Sequence, residues 1–153
     1  MERFNKAMIK RSRQEKYPDT ETFHYHNQNP KNRITTDCVI RAISLATGIS
    51  YNDVVMGMAT MQCTTGWDMS ENKGIDKYLD SIGWVKCKQP RKIDNTKYTG
   101  KEYCKKLWQM NASDPIIANI GGHHIVCIKD FKVWDTWNST GGCIGNYWVK
   151  NSK

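Results

Sequence analysis

Three side chains of this sequence can together perform acyl transfer. They are Cys38 in "ITTDCVIRAISLATG", a histidine of the pair in "GGHHIVCIK", and Asp135 in "KVWDTW". A cysteine attacks a carbonyl as its thiolate, so it needs surroundings that lower its pKa and a base within reach. Cys38 falls in the first turn of a helix whose apolar pattern is Val39, Ile40, Ala42, Ile43, Leu45 and Ala46 and whose stop is Gly48. Unbonded N–H groups and the helix dipole favour an anion there, and the same N–H groups can hold an oxyanion. Asp37 or Thr36 stands where a side chain can cap that helix. The other cysteines, Cys63, Cys87, Cys104, Cys127 and Cys143, have no such setting; Cys104, for example, falls in mid-helix. No two cysteines have the C-x-x-C spacing of a zinc or redox site, so most of the six read as free thiols, and neither metal nor organic cofactor is implied.

The base must come from His24, His26, His123 or His124. The first two lie in an irregular segment, whereas the second two open a strand after Gly121 and Gly122. Alternation puts His124, Val126 and Ile128 on one face and His123, Ile125 and Cys127 on the other. A two- or four-residue loop at "KDFK" sets residue 128 opposite 133 and 126 opposite 135, which brings His124 and Asp135 diagonally together. A three-residue loop reverses the parity in favour of His123. With the even loop, His124 is the base and Asp135 the carboxylate that orients it, Asn138 being the rival orienting group. Gln28, Asn29 and Asn32 are the amides upstream of Cys38. Asn32, six residues before it, is the candidate oxyanion donor, although these residue types equally form turns.

The elements around these residues divide the chain in two. Residues 1–28 read as a basic, partly irregular arm with a short helix around Phe4–Arg11, and residues 29–153 as the catalytic domain. Further helices are expected in "SYNDVVMGMATM", capped by Ser50 with Asp53; in "NKGIDKYLDSIG", with Ile75, Tyr78, Leu79 and Ile82 inward; and in "TGKEYCKKLWQM". In the last of these Thr99 and Glu102 form a capping box, and Tyr103, Leu107 and Met110 face inward. After Pro115 the period shortens to that of strands, in "PIIANI", "HHIVCIK", "KVWDTW" and "NYWVK". The expected class is α+β, N-terminal helices packed on a C-terminal antiparallel sheet.

Composition narrows the setting. The chain has 153 residues and a net charge of +8. Its mean hydropathy is −0.70. No apolar run approaches the roughly 20 residues that span a bilayer, and the N-terminus has no apolar core of a secretory signal, which reads as cytoplasmic with no membrane contact. Arg3, Lys6, Lys10, Arg11, Arg13 and Lys16 concentrate charge near the start, either as a solvated surface or as an arm for an acidic partner or nucleic acid. No nucleic-acid-binding signature follows that arm.

"DCVIRAIS" opening a helix, "GHHIV" opening a strand and "VWDTW" on the next strand resemble the papain-like cysteine peptidase superfamily, over residues 29–149. The nearest forms are the small papain-like proteins of bacteriophages and the bacteriocin-processing peptidases. The resemblance implies a papain-like fold with Cys38 as nucleophile, His124 as base and Asp135 as orienting acid. It also implies a protein or peptide substrate and, for a phage protein, the host cytoplasm. The family usually has Gln six residues before the nucleophile, where this chain has Asn32, and the chain is short, which implies an abbreviated groove. The implied reaction is hydrolysis of a peptide or isopeptide amide through a Cys38 thioester. The same triad also serves transglutaminase- or deamidase-type acyl transfer, and a non-catalytic basic binding protein is a third reading. Trp134, Trp137 and Trp148 read as sheet packing, and "STGGC" as a turn beside the site.

Overall fold

Several of the predicted helix ends have a local cause. Helix α1 spans Cys38–Thr47 and ends at Gly48, whose φ of 77° lets its N–H reach the Ser44 carbonyl. Helix α2, Tyr51–Thr65, is capped by Ser50, whose side chain accepts from the Asp53 N–H, and it ends at Gly66 in the same left-handed conformation. Helix α3 is Asn72–Ser81. Helix α4, Gly100–Gln109, carries the full Thr99/Glu102 capping box. Tyr103 and Leu107 are buried as their spacing predicts, but Met110 falls at the C-cap and is exposed. The computed structural model describes residues 12–152, of which 12–16 are helical. The helix expected around Phe4–Arg11 lies outside them.

Six strands form one sheet: β1 Phe23–Tyr25, β2 Trp84–Cys87, β3 Ile116–Ile120, β4 His124–Lys129, β5 Lys132–Asp135 and β6 Ile144–Lys150. Their order is β1-β5-β4-β3-β6-β2. All neighbours are antiparallel except β1 and β5, so the sheet is mixed rather than antiparallel throughout. Both edge strands come from outside the C-terminal third. The expected boundary at residue 28 therefore separates β1 from the sheet it belongs to. Arg13 likewise joins the domain, donating from Nε and Nη2 to the Thr136 carbonyl at 3.2 and 3.1 Å.

The sheet is covered on both faces, and the class is α+β. Ile43, Met58 and Leu79, from α1, α2 and α3, pack with Ile117, Ile125, Cys127 and Trp148 on one face. Tyr103, Cys104 and Leu107 of α4 pack with Ala118, Val126, Ile128 and Val133 on the other. The Val, Leu, Ile and Met side chains among them contribute about 1.5–3 kcal/mol each. Among the described residues no helix is long and apolar enough to cross a membrane.

One close approach sets a wall of the cleft described below. A Cβ built on Gly74 would stand 2.1 Å from the Asp68 carbonyl oxygen and 3.1 Å from Met61 Cε. The loop before α3 can fold onto that helix only because residue 74 has no side chain. Gly74→Ala is expected to cost about 1–3 kcal/mol, from overpacking against backbone that cannot yield. At this size that lowers Tm by roughly 3–10 °C in a thermal melt; an unchanged Tm would refute the close approach.

Candidate active site

The hairpin between β4 and β5 decides which histidine meets the acid. Its loop is the two residues Asp130 and Phe131, with φ of 50° and 63°, and the strands pair Ile128 with Val133 and Lys129 with Lys132. Two successive positive φ values match the twist of the flanking strands. Because the strands are antiparallel, the first residue of β4 and the last of β5 lie at the same sheet end. There His124 Nε2 is 2.5 Å from Asp135 Oδ2. An ionised carboxylate only accepts, so Nε2 carries the proton and Nδ1 is left to face the cysteine.

Cys38 is the first residue of α1, which packs chiefly on β4. Its half-buried sulfur lies near the His124 ring and the Ile125 N–H. Burial pushes the thiol pKa up, but these two neighbours and the charges of His124 and Arg41 outweigh it and hold Cys38 below the ordinary thiol value. Burial pushes His124 down, but the bonds and charges of Asp135 and Cys38 bring it up to about 9. The favoured state is a thiolate–imidazolium pair. Cys104 and Cys127 have no such partners, and burial takes both up to about 12.

The buried Asp135 is satisfied on both oxygens. Oδ1 accepts from the Thr136 N–H at 2.7 Å and from Arg41 Nη1 at 3.0 Å. Oδ2 accepts from His124 and, at 3.3 Å, from the Ser139 hydroxyl. Strand β1 grips its backbone: Tyr25 pairs with Asp135, whose carbonyl accepts from the His26 N–H at 2.9 Å. Arg41 also donates from Nε to Asp37 Oδ1 at 2.8 Å. The other oxygen of Asp37 accepts from the Tyr51 hydroxyl at 2.6 Å and from Asn29 Nδ2 at 2.9 Å. Asp37 is the N-cap residue, yet its side chain makes no capping bond. The carboxylate is committed to Arg41, Tyr51 and Asn29, so it does not occupy the N–H groups beside the Cys38 sulfur.

Other sequence candidates lie elsewhere. Asn32 has a φ of 54° and sits in a turn, its N–H on the Asn29 carbonyl and its Oδ1 accepting from Asn27 Nδ2. The structure does not bring Asn32 to the cleft around Cys38, which corrects its assignment as oxyanion donor; the amides that line the cleft are Asn72 and Asn119, the latter donating from Nδ2 to the Asn146 carbonyl at 3.4 Å. Gln28 borders a small hollow behind Cys38, but its amide donates to Ser44 Oγ. Asn138 accepts from the Thr140 N–H and hydroxyl, closing a turn instead of orienting the imidazole. His123 lies exposed at the cleft mouth. His24 is bonded to Asp19 and His26 to Gln28. Trp148 is core and Trp134 packs edge-on to His24. Trp137 is outside the strands, 38% exposed, with its ring 5.0 Å from that of His124. The "STGGC" segment is held by Lys101 N–H on the Thr140 carbonyl and Gly100 N–H on the Gly142 carbonyl.

The cleft encloses about 680 Å³ between the start of α1, the Ser70–Asn72 wall, the turn carrying Gly122 and His123, and Thr136 with Trp137. The sequence reading missed Arg41, although "DCVIR" sets Asp37 and Arg41 at the i,i+4 spacing of a helical ion pair. Comparison with protein-family models, curated proteins and solved structures returned no match.

Two measurements follow from this geometry. Titrating iodoacetamide reactivity by peptide mass mapping is expected to place Cys38 below the ordinary thiol value and Cys104 and Cys127 above it. His124→Ala should return Cys38 to the ordinary thiol range or above, and an unmoved Cys38 titration would contradict the ion pair. Arg41→Met leaves Asp37 and Asp135 as buried carboxylates without their cation, and it should cost about 3–5 kcal/mol in denaturant unfolding.

Proposed function

We propose that the chain is a papain-like thiol hydrolase that cleaves a peptide or isopeptide amide through a Cys38 thioester. The observation that carries this reading is the continuous line from Cys38 through His124 to Asp135, with thiol and imidazole shifted in opposite directions. A helix opening on the cysteine and packed on strands that supply the histidine and then the acid supports the papain-like fold.

In this mechanism the Cys38 thiolate adds to the amide carbonyl in the cleft. The tetrahedral oxyanion is met by the first-turn N–H groups of α1, which the Asp37 carboxylate leaves unoccupied. Asn119, which lines the cleft, is the candidate side-chain donor in place of Asn32 and would turn its amide from the Asn146 carbonyl to serve. Protonated His124 gives its proton from Nδ1 to the departing amine, the C–N bond breaks, and a thioester remains on Cys38. Neutral His124 then takes a proton from water, whose oxygen attacks the thioester. A carboxylic acid leaves, and thiolate and imidazolium are restored. Asp135 keeps the Nε2 proton in place through both halves.

The test is cleavage of a combinatorial peptide library followed by mass spectrometry, beside labelling with a peptidyl electrophile. Cys38→Ala should abolish both. Fragment masses indicate hydrolysis, whereas intact peptides of altered mass indicate deamidation or amine transfer. Failure of Cys38 to be labelled would defeat the proposal. The sign of the pH dependence follows from the two shifts. The active pair appears as Cys38 ionises, below the ordinary thiol range, and is lost as His124 gives up its proton near pH 9. The kcat/KM profile should therefore rise as Cys38 ionises and fall above about pH 9.

A further inference from the structure

The charge of this protein is concentrated in a place that the triad does not use. Residues 86–106, "KCKQPRKIDNTKYTGKEYCKK", hold eight Lys or Arg against two Asp or Glu, a net +6 of the chain's +8. They run from β2 into α4, and α4 covers the sheet face opposite α1. Of the two acids, Glu102 is bound to Lys92 and to the helix N-cap, and Asp94 accepts from Thr96. Among the described residues no carboxylate pairs with Lys88, Arg91, Lys97, Lys101, Lys105 or Lys106. Like charges held this close on a folded surface are mutually repulsive, and a polyanion relieves that repulsion.

The patch also carries an aromatic plane. Lys101, Lys105 and Trp108 follow at i, i+4 and i+7, one face of α4, and Trp108 is 67% exposed. Two depressions flank Lys105. One, of about 590 Å³, runs past Ile93, Tyr98 and Lys106, with Asp94 and Glu102 in its wall. The other, of about 270 Å³, lies between Trp108, Phe131 and Lys132, with Glu21 and Asp130 at its margin.

We propose that this face binds single-stranded nucleic acid, with phosphates over Lys101, Lys105 and the neighbouring basic side chains of the segment and a base stacked on Trp108. Exposed lysines track a phosphate backbone whatever its sequence, and an exposed indole beside them accepts any base. An anionic membrane is the poorer fit. Ile93 and Trp108 occupy separate depressions divided by Lys105, so no continuous apolar face exists to enter a headgroup layer. An acidic peptide would satisfy the lysines but gives the flat indole no partner. The surface lies across the sheet from the cleft, so this inference does not depend on the hydrolase reading.

The test is fluorescence anisotropy of a labelled oligothymidylate of about twenty nucleotides with the full chain. Saturable binding is expected, weakening about fifty-fold between roughly 50 and 200 mM salt if four phosphates are engaged. Lys101→Glu combined with Lys105→Glu should abolish it, and Trp108→Ala should weaken it about tenfold. Cys38 alkylation at the wild-type rate certifies the fold of each variant; a variant that fails this check is replaced by the milder Lys→Gln pair. The proposal is overturned if the wild type shows no saturable binding, or if both variants bind as the wild type does. It is equally overturned if only substitution of Arg3, Lys6 and Lys10 removes binding. Tighter binding of phosphatidylserine vesicles or polyglutamate through Lys101, Lys105 and Trp108 would also overturn it.

Discussion

A buried guanidinium joins the two halves of this molecule. Arg41 is 7% exposed and lies between Asp37, at the mouth of the first helix, and Asp135, at the end of a strand 94 residues away. Neither carboxylate can be desolvated cheaply alone. Arginine suits the position because its planar fork donates from two nitrogens in fixed directions, which a lysine ammonium cannot match. The bridge fixes the helix mouth against the sheet end, and the distance from sulfur to imidazole is set there.

The carboxylate of Asp135 gathers the rest. Through Oδ2 it settles which imidazole nitrogen carries the proton, and through Oδ1 it holds the cation whose charge favours the thiolate. Its backbone is gripped by a strand from the N-terminal segment, and its Ser139 partner belongs to a connection bonded to the start of α4. Each constraint comes from a different element. In the proposed chemistry this redundancy maintains alignment, because a buried, fully bonded carboxylate has no alternative rotamer of comparable energy.

The sheet divides the labour between its faces. On one, α1 to α3 supply the core and the rim of the cleft. On the other, α4 buries Tyr103, Cys104 and Leu107 and turns Lys101, Lys105 and Trp108 outward. A polyanion engaged there would leave the cleft open, so the two proposed activities are sterically compatible. Trp137 is the exposed aromatic of the cleft side, set against His124, where an apolar ring limits water around the imidazole–carboxylate bond.

Local rules sufficed for much of this. Gly48, Ser50 and the Thr99/Glu102 box act within a few residues of themselves, so the helix limits were readable from the chain. The β4–β5 register was narrowed but not fixed by the chain, since an even and a three-residue loop select different histidines; the structure has the two-residue loop, whose parity brings His124 and not His123 to Asp135. Asn32 was chosen for its distance along the chain from Cys38 and Asn138 was kept as the rival to Asp135; both lie in turns, where their side chains or backbone bond near neighbours. The recruitment of Phe23–Tyr25 and Trp84–Cys87 as edge strands had no local signal. Each is too short to show a period, and each becomes a strand because a neighbour presents unpaired N–H and C=O groups. The sequence alone determined which residues could be nucleophile, base and acid, since those identities rest on side-chain chemistry and short-range backbone geometry. Only the tertiary structure decided that Arg41 ties them together and that the strongest positive charge faces away from the cleft. Long-range ion pairing and the side of a sheet that a helix covers depend on contacts between residues far apart in the chain.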